Sequence, residues 1–530
     1  MEEYTITAVR NGAEKKIGAK KGESLLEALV RHDIYLSAAC GGTGRCGKCG
    51  VQMCKGATEI KEADRLFFTE AQLQEGMRLA CEAYPQSDCR IVIETGDEAD
   101  FEVVTEYQEN DAAEAKKEKT DEDCFLIGID IGTTTIAVSL VGCASRKIYH
   151  TVTVVNHQRA YGADVISRIQ AANDGKLPEL THSIRKDLYT SMERLLEETG
   201  GSFTQIQKIA IAGNTTMGHL LMGYSCETLG VYPFDPVNIG TIETDFTGLF
   251  GAAAKEAGAK EEYGIPVVLL PGISTYVGAD ISAGMLFNGF DASNKVDILV
   301  DLGTNGEMAI GNKDKILVTS TAAGPAFEGG NISCGMGSVQ GAICQVRIDG
   351  TKAECKTIKD APPLGLCGTG VIETAYELLK EEWLDETGML EEDYFDDGFV
   401  LAQTPDGQDI AFTQKDVREI QLAKSAVRAG LETLLLRYGV TYDDIGTLYL
   451  AGGFGYRMDL DKAVGIGLLP EELLDRTTAV GNSSLGGTVT YLTDPDAQRR
   501  MERIVQVSEE IPLASDKDFN RFYTDYMFFE

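Results

Sequence analysis

An internal repeat restricts the fold of this chain more than any other feature. Phe125-Leu-Ile-Gly-Ile-Asp130-Ile-Gly132-Thr133-Thr134-Thr135 runs on into Ile-Ala-Val-Ser-Leu140. About 170 residues later, Val296-Asp-Ile-Leu-Val-Asp301-Leu-Gly303-Thr304-Asn305-Gly306-Glu307 runs on into Met-Ala-Ile310. Each copy is an apolar strand, an aspartate, a Gly-Thr turn and a second apolar strand, the pattern of a hairpin of buried strands. Two copies at this distance imply two related α/β halves, placed at 124–292 and 293–530. Helices are expected at 181–199, 371–386 and 415–438.

The turns carry chemistry. Gly132 lets the backbone approach phosphate oxygens, and Thr133, Thr134 and Thr135 offer hydroxyls and amides to them. Asp130 suits Mg²⁺ held through water, because Mg²⁺ keeps much of its hydration shell. Asp301, Gly303, Thr304 and Asn305 offer the same parts from the opposite side. In Leu448-Tyr-Leu-Ala-Gly452-Gly453-Phe454-Gly455 a buried strand ends in glycines, where a flat adenine ring can lie on bare backbone. Any one of these alone is equally a glycine turn after a core strand; three in this order point to a bound nucleotide. The chain has no Gly-x4-Gly-Lys-Ser/Thr loop. Ile211-Ala-Gly213-Asn214-Thr215-Thr216-Met217 is a strand ending in a polar turn at the cleft. Asp280, in Gly278-Ala-Asp280, is a candidate base for water at the γ-phosphate, or simply a helix N-terminal charge. Gly324–Gly330 and Gly365–Gly370 read as flexible glycine loops bordering nucleotide or partner.

A second constellation lies upstream: Cys40-Gly-Gly-Thr-Gly-Arg-Cys46-Gly-Lys-Cys49, followed by Cys81. Four thiolates hold the two irons of a 2Fe–2S cluster, and three from one tight loop need glycines where the chain wraps, supplied by Gly41, Gly42, Gly44, Gly47 and Gly50. A structural zinc ion on the same thiolates, or unligated buried cysteines, are the alternatives. Cys54 and Cys89 compete with Cys81 for the fourth place; Cys89 opens a strand and Cys54 lies past the wrap. Around this loop, Tyr4–Val9 alternates as a strand, Asn11-Gly12 signals a hairpin, Ser24-Leu-Leu-Glu27 is a capping box, and Cys89–Glu94 is a returning strand. Residues 1–95 thus form a small separate domain.

Residues 97–123 hold 12 acids and 3 bases, so 96–123 reads as a linker, with helical character near Ala112–Lys119. The whole chain of 530 residues carries a net charge of −35, which excludes nonspecific binding to nucleic acid. It shows no apolar run of bilayer length and no signal-peptide pattern at the Met1-Glu2-Glu3 start, so a cytoplasmic location is expected. Its 13 cysteines, seven of them before residue 125, fit metal ligation and reduced thiols. The five histidines show no metal spacing. Trp383 reads as a packing anchor, and the aromatic segment Phe519–Glu530 as a tail docked on the core.

These motifs resemble known families. Cys-x5-Cys-x2-Cys is one residue longer in its first gap than the plant ferredoxin loop and is similar to the adrenodoxin-like variant, implying a β-grasp (α+β) domain. The three turns resemble the phosphate-1, phosphate-2 and adenosine motifs of the acetate and sugar kinase, heat-shock chaperone and actin superfamily, implying a two-lobed actin-like ATPase. Ferredoxin domain, acidic linker and actin-like ATPase together resemble the ATP-dependent reductive activators of corrinoid proteins. That resemblance implies a 2Fe–2S cluster, ATP and Mg²⁺ as cofactors. It implies one-electron reduction of Co(II) to Co(I), in support of methyl transfer or demethylation. It further implies a corrinoid protein partner, a low-potential electron donor, and the homodimers common in that family. Competing readings are an ATP-coupled electron donor to another low-potential enzyme, a small-molecule kinase with a regulatory cluster, and a nonenzymatic ferredoxin-like partner with a degenerate ATPase half.

Overall fold

A computed structural model describes residues 3–10, 12–32, 34–36, 38, 40–56, 58–93, 122–259, 262–453 and 458–529. Most of the expected acidic linker, with the helical stretch near Ala112–Lys119, lies outside the described residues, as do Asn11, Glu94, Phe454 and Gly455.

The N-terminal strands are β1 (Glu3–Arg10), β2 (Ala13–Lys20), β3 (Gly50–Lys55), β4 (Met77–Leu79) and β5 (Cys89–Ile93), ordered β2-β1-β5-β3-β4. Arg10 pairs with Ala13 across the β1–β2 hairpin, and Gly12 takes φ +79°. Helix Leu25–Arg31 starts on the reciprocal Ser24–Glu27 capping box, a device worth about 1 kcal/mol. Its Leu25, Leu26 and Leu29 pack on Ile6 and Ile91. The result is the expected β-grasp.

The repeat is realised as two six-stranded sheets of matching design. The first contains β6 (Phe125–Ile131), β7 (Thr135–Gly142), β8 (Ile148–Val155), β9 (Ile206–Gly213), β10 (Ile242–Asp245) and β11 (Pro266–Leu269), ordered β10-β11-β9-β6-β7-β8. The second half begins with β12 (Val296–Leu302), β13 (Gly306–Gly311) and β14 (Ile316–Thr321). A subsidiary sheet follows, of β15 (Ala342–Asp349), β16 (Lys352–Thr357) and β17 (Gly365–Leu366), then the hairpin β18 (Phe399–Gln403) and β19 (Asp409–Phe412). The chain then returns as β20 (Ile445–Ala451), β21 (Thr477–Gly481) and β22 (Ser508–Glu510), giving the order β21-β20-β12-β13-β14-β22. In both sheets the aspartate-bearing strand has an antiparallel hairpin partner on one side and a parallel strand on the other. Such strands are covered on both faces, which is why they read as continuous apolar runs.

The register carries the symmetry further than the sequence pattern does. Asp130 lies opposite Ala212 of β9, and Asp301 opposite Ala451 of β20. Gly213-Asn214 therefore occupies in the first half the place of Gly452-Gly453 in the second. Helices Ala279–Phe287 and Ser483–Thr493 follow equivalent strands and pack on each other, close enough that a Cβ on Gly284 would stand 2.7 Å from the Ser483 hydroxyl. Helix Ser483–Thr493 also lies on β6 and β9 of the other half, with Thr488 facing bare Gly128. Each half thus supplies part of the floor of the cleft between them.

Helices form at Leu177–Thr199 and Gln414–Tyr438. The third expected helix, 371–386, is instead Gly368–Lys380. Glu382 turns left-handed at φ +61°, and the Trp383 N–H closes back on the Leu378 carbonyl at 2.9 Å, ending the helix early. Gly365–Gly370 is a correction as well: Gly365–Leu366 is strand, and Gly368 and Gly370 open that buried helix, with Gly370 pressed against the Ile343 carbonyl too closely for a side chain. Trp383 is an anchor whose indole donates to Gly350 O at 2.7 Å. The C-terminal segment docks on helix Gln414–Tyr438, with Phe529 buried and the Lys424 ammonium donating to the Tyr526 and Phe528 carbonyls at 2.7 and 2.6 Å. Among the described residues no helix is long and apolar enough to cross a membrane.

Candidate functional site

The two Gly-Thr turns face each other across the cleft, and one carboxylate measures their separation. Glu328 accepts from the Thr304 hydroxyl at 3.1 Å and from the Thr134 hydroxyl at 3.4 Å. Donors from both halves therefore converge on a single anionic group, as they must to clamp a phosphate. Glu328 belongs to the 3₁₀ turn Pro325–Glu328, inside the segment expected to be a glycine loop; reading it as glycine-rich hid its one charged residue.

The Gly132–Thr135 turn is held from behind. Gly132 N–H bonds the Thr135 carbonyl at 2.9 Å, closing the turn and starting β7. Asn156 Nδ2 donates to Gly132 O at 2.9 Å, Arg168 Nη2 to Thr133 O at 2.5 Å, and Asn214 Nδ2 to the Thr133 hydroxyl at 3.1 Å. Asn214 thus borders the cleft. Asn156 and Arg168 are fully buried and stand in no phosphate motif; only buried polar residues in an apolar context could have flagged them.

Asp130 is fixed by the start of helix Ser483–Thr493: Ser484 Oγ donates to Oδ1 at 2.6 Å and Asn482 Nδ2 to Oδ2 at 2.8 Å. In the pseudo-symmetric position, Asp280 begins helix Ala279–Phe287 and faces Asp301. The symmetry is broken chemically, because a serine that donates to one aspartate is replaced by a carboxylate that repels the other. Asp280 is not simply a capping charge: burial and the Asp130 charge push its carboxyl up to about 7. Burial, then Asp280 and Asp130, push Asp301 up to about 8. Glu307 is raised well above the usual range by burial and by Asp280 and Asp301, against a hydrogen bond from Asn305. The charges acting on these half-buried carboxylates are one another's, and such a set calls for a cation. Among the described residues no three carboxylates are grouped closely enough to hold a metal ion directly. The fit is therefore to a cation carried with its water and a phosphate.

In the turn expected to face adenosine, Gly452 has φ +97° and its Cα lies so near β12 that a Cβ would sit 2.5 Å from Leu302 O and 3.0 Å from Asp301 Oδ1. Gly453 is open on its outer side. Gly452→Ala is expected to lower the unfolding temperature, from backbone strain of about 1–3 kcal/mol. It should also weaken ATP binding by displacing Asp301; thermal unfolding and nucleotide titration of the variant check both.

In the cysteine loop the backbone turns left-handed at Gly41, Gly42, Gly44 and Gly47, with φ between +65° and +83°. Gly50, expected to share in the wrap, begins β3 instead. The four cysteines stand as two pairs. Cys49 and Cys81 have their sulfurs 3.4 Å apart, and Cys40 hydrogen-bonds Cys46. Burial pushes the Cys40 thiol up, but hydrogen bonds from Thr43 and from the Arg45 and Cys46 amides bring it down to about 6. Cys81 is driven up by Cys49, whose own thiol is lowered. Amides of Lys48, Ala80 and Gly44 also aim at these sulfurs. Two sulfur pairs with amide donors suit a two-iron centre, whereas one tetrahedral zinc ion needs all four thiolates around a single point. Cys54 is exposed on β3, and Cys89 is buried beneath Gly56.

Comparison with known proteins follows the same division. The family model described as the C-terminal domain of RACo, the ASKHA domain, matches residues 295–530. The RACo middle region matches 125–293, and a 2Fe-2S iron-sulfur cluster binding domain matches 9–86. The chain is 31% identical to a corrinoid activation enzyme, RamQ, of Eubacterium limosum, over 75% of this chain and 69% of that protein. It is 26% identical to a Co(II) methylated amine-specific corrinoid protein reductase of Methanosarcina barkeri, over 75% of each chain. The solved structure of a reductive activator for corrinoid, iron-sulfur protein aligns over 99% of this chain and 98% of its own, with a TM-score of 0.69 and 27% identity.

Proposed function

This chain belongs to the RACo family of reductive activators of corrinoid proteins, and we propose that it performs the ATP-dependent one-electron reduction of a corrinoid cobalt from Co(II) to Co(I). Such a step returns an oxidised corrinoid to methyl transfer or demethylation. It is uphill, and for one electron each 59 mV of unfavourable potential costs a factor of about ten. A bound 2Fe–2S cluster supplies the one-electron carrier, and bound Mg–ATP supplies a ligand whose affinity differs between two conformations. A nucleotide can drive the step only through that difference.

The observation that carries the ATP reading is the convergence of Thr134 and Thr304 on Glu328. In this reading Cys40, Cys46, Cys49 and Cys81 are the cluster ligands. Gly132, Thr133, Thr134 and Thr135 hold phosphate from one side, and Gly303, Thr304 and Asn305 from the other, with Gly452 and Gly453 beneath the adenosine. Asp130, Asp301 and Asp280 hold hydrated Mg²⁺ and orient the attacking water. The working parts are a cluster domain at 1–95, a linker at 96–123, and ATPase halves at 124–292 and 293–530. A low-potential donor reloads the cluster, the protein works in the cytoplasm, and it pairs as a homodimer.

The test is anaerobic absorbance of a Co(II) corrinoid protein mixed with this protein and a chemical reductant. The Co(I) spectrum is expected with Mg–ATP and not without it. Its absence while ATP hydrolysis and the cluster signal are intact would favour a different low-potential acceptor, and a phosphorylated small molecule would favour a kinase.

A further inference from the structure

Between the phosphate-1 turn and the cluster domain lies one short segment, residues 156–162, that touches both. On the nucleotide side, Asn156 N–H donates to Thr134 O at 2.9 Å and its side chain to Gly132 O at 2.9 Å. Arg168 ties the far end of the segment to the same turn, donating from Nε to Gly162 O at 2.9 Å and from Nη2 to Thr133 O. On the cluster side, the His157 ring stacks on Tyr35, with centroids 4.1 Å apart and planes 26° from parallel. His157 is itself clamped by Asp187, through its backbone N–H at 2.9 Å and its ring Nδ1 at 2.7 Å. The Tyr161 carbonyl lies under Gly41, next to Cys40, so closely that a Cβ there would be 2.7 Å away. Lys176 of the middle region pairs with Glu27 of the cluster domain at 3.0 Å.

We propose that residues 156–162 are a seat for the cluster domain whose fit is set by the phosphate-1 turn, so that nucleotide binding releases the cysteine loop. The proposal rests on reading Gly132–Thr134 as the nucleotide site and adds how that site governs the cluster domain. Three of the turn's carbonyls, at Gly132, Thr133 and Thr134, are bonded to Asn156 and Arg168. A phosphate that draws the turn's amides and hydroxyls toward itself therefore shifts the seat as a unit. The seat, through the stacked pair and the close backbone approach, and the neighbouring Lys176, through an exposed ion pair, hold the cluster domain by contacts weak enough to be reversible. It covers the Gly41 edge of the loop. A partner approaching the half-exposed Cys40 and Cys46 needs that same edge, so the seated arrangement blocks it and release opens it. By linkage, if nucleotide weakens seating, anything that weakens seating strengthens nucleotide binding by the same factor.

Two surface substitutions break the seat without touching the nucleotide: Tyr35→Ala and Lys176→Glu. Each is expected to tighten binding of a non-hydrolysable ATP analogue about three- to tenfold, with folding checked by the cluster's absorbance. In the unaltered protein, saturating analogue with Mg²⁺ should speed amide exchange of residues 34–36 and 40–46. Affinities unchanged within twofold in both variants, or exchange slowed or unaffected at saturation, would overturn the proposal while leaving the nucleotide site standing. An analogue that does not bind at all would remove the nucleotide reading and the proposal with it. None of these readouts requires a corrinoid partner.

Discussion

Cys81→Ala is expected to abolish the electron paramagnetic resonance of the reduced 2Fe–2S centre and, with it, all formation of Co(I), while ATP hydrolysis continues. The Cys81 sulfur is buried and 3.4 Å from that of Cys49, a pairing with Cys49 that neither Cys54 nor Cys89 makes among the described residues. Its removal leaves the buried Cys49 without its sulfur partner. The nucleotide turns belong to two other sheets and keep their geometry. Cys54→Ala and Cys89→Ala serve as controls and should retain the signal: Cys54 sits exposed on β3, and burial with the Asp88 charge pushes the Cys89 thiol up to about 11, marking a packed residue with no sulfur partner acting on it. A normal signal in Cys81→Ala would move the fourth ligand to one of those two.

Most of the frame was legible because its signals are local. The capping box at Ser24, the buried hairpins at Asp130 and Asp301, and the Cys40–Cys49 spacing each lie within about sixteen residues and follow from backbone geometry. What escaped is what needs the third dimension. Asn482 and Ser484 sit some 350 positions from the aspartate they hold; no spacing rule reaches that far. Glu328 was masked by the glycines around it. Gly368–Lys380 was placed too late because its glycines argue for a loop on propensity, whereas the close approach of the helix to β15 requires a glycine at 370. Asp280 was suspected from sequence, but its meaning comes only from the pseudo-symmetry that sets it against Ser484.

The carboxylate floor makes a second prediction in which stability and function move in opposite directions. Asp301→Asn is expected to eliminate Mg–ATP-dependent formation of Co(I) and yet to raise the unfolding temperature at pH 8. The Asp301 carboxyl is pushed up to about 8 by burial and by Asp280 and Asp130, against about 3.9 in an unfolded chain. The folded protein therefore binds this proton more tightly than the unfolded one. Its contribution to stability is fully present below about pH 4 and is lost as pH rises toward 8. Converting the whole shift at 1.36 kcal/mol per unit overstates the effect, because water enters the cleft; about 1–2 kcal/mol at pH 8 is the expected gain, falling to nearly nothing at pH 4. The neutral amide removes the repulsion and with it the charge that holds the cation. The same physics requires the unaltered protein to release protons when it takes up Mg–ATP near pH 7, since the incoming cation favours the charged carboxylates. Calorimetric titration in buffers of different ionisation enthalpy measures that release, which should shrink in Asp301→Asn. Full ATP-dependent cobalt reduction in this variant would remove Asp301 from the nucleotide site. An unfolding temperature that falls at pH 8 would show instead that the carboxylates hold the two lobes together through contacts stronger than their mutual repulsion.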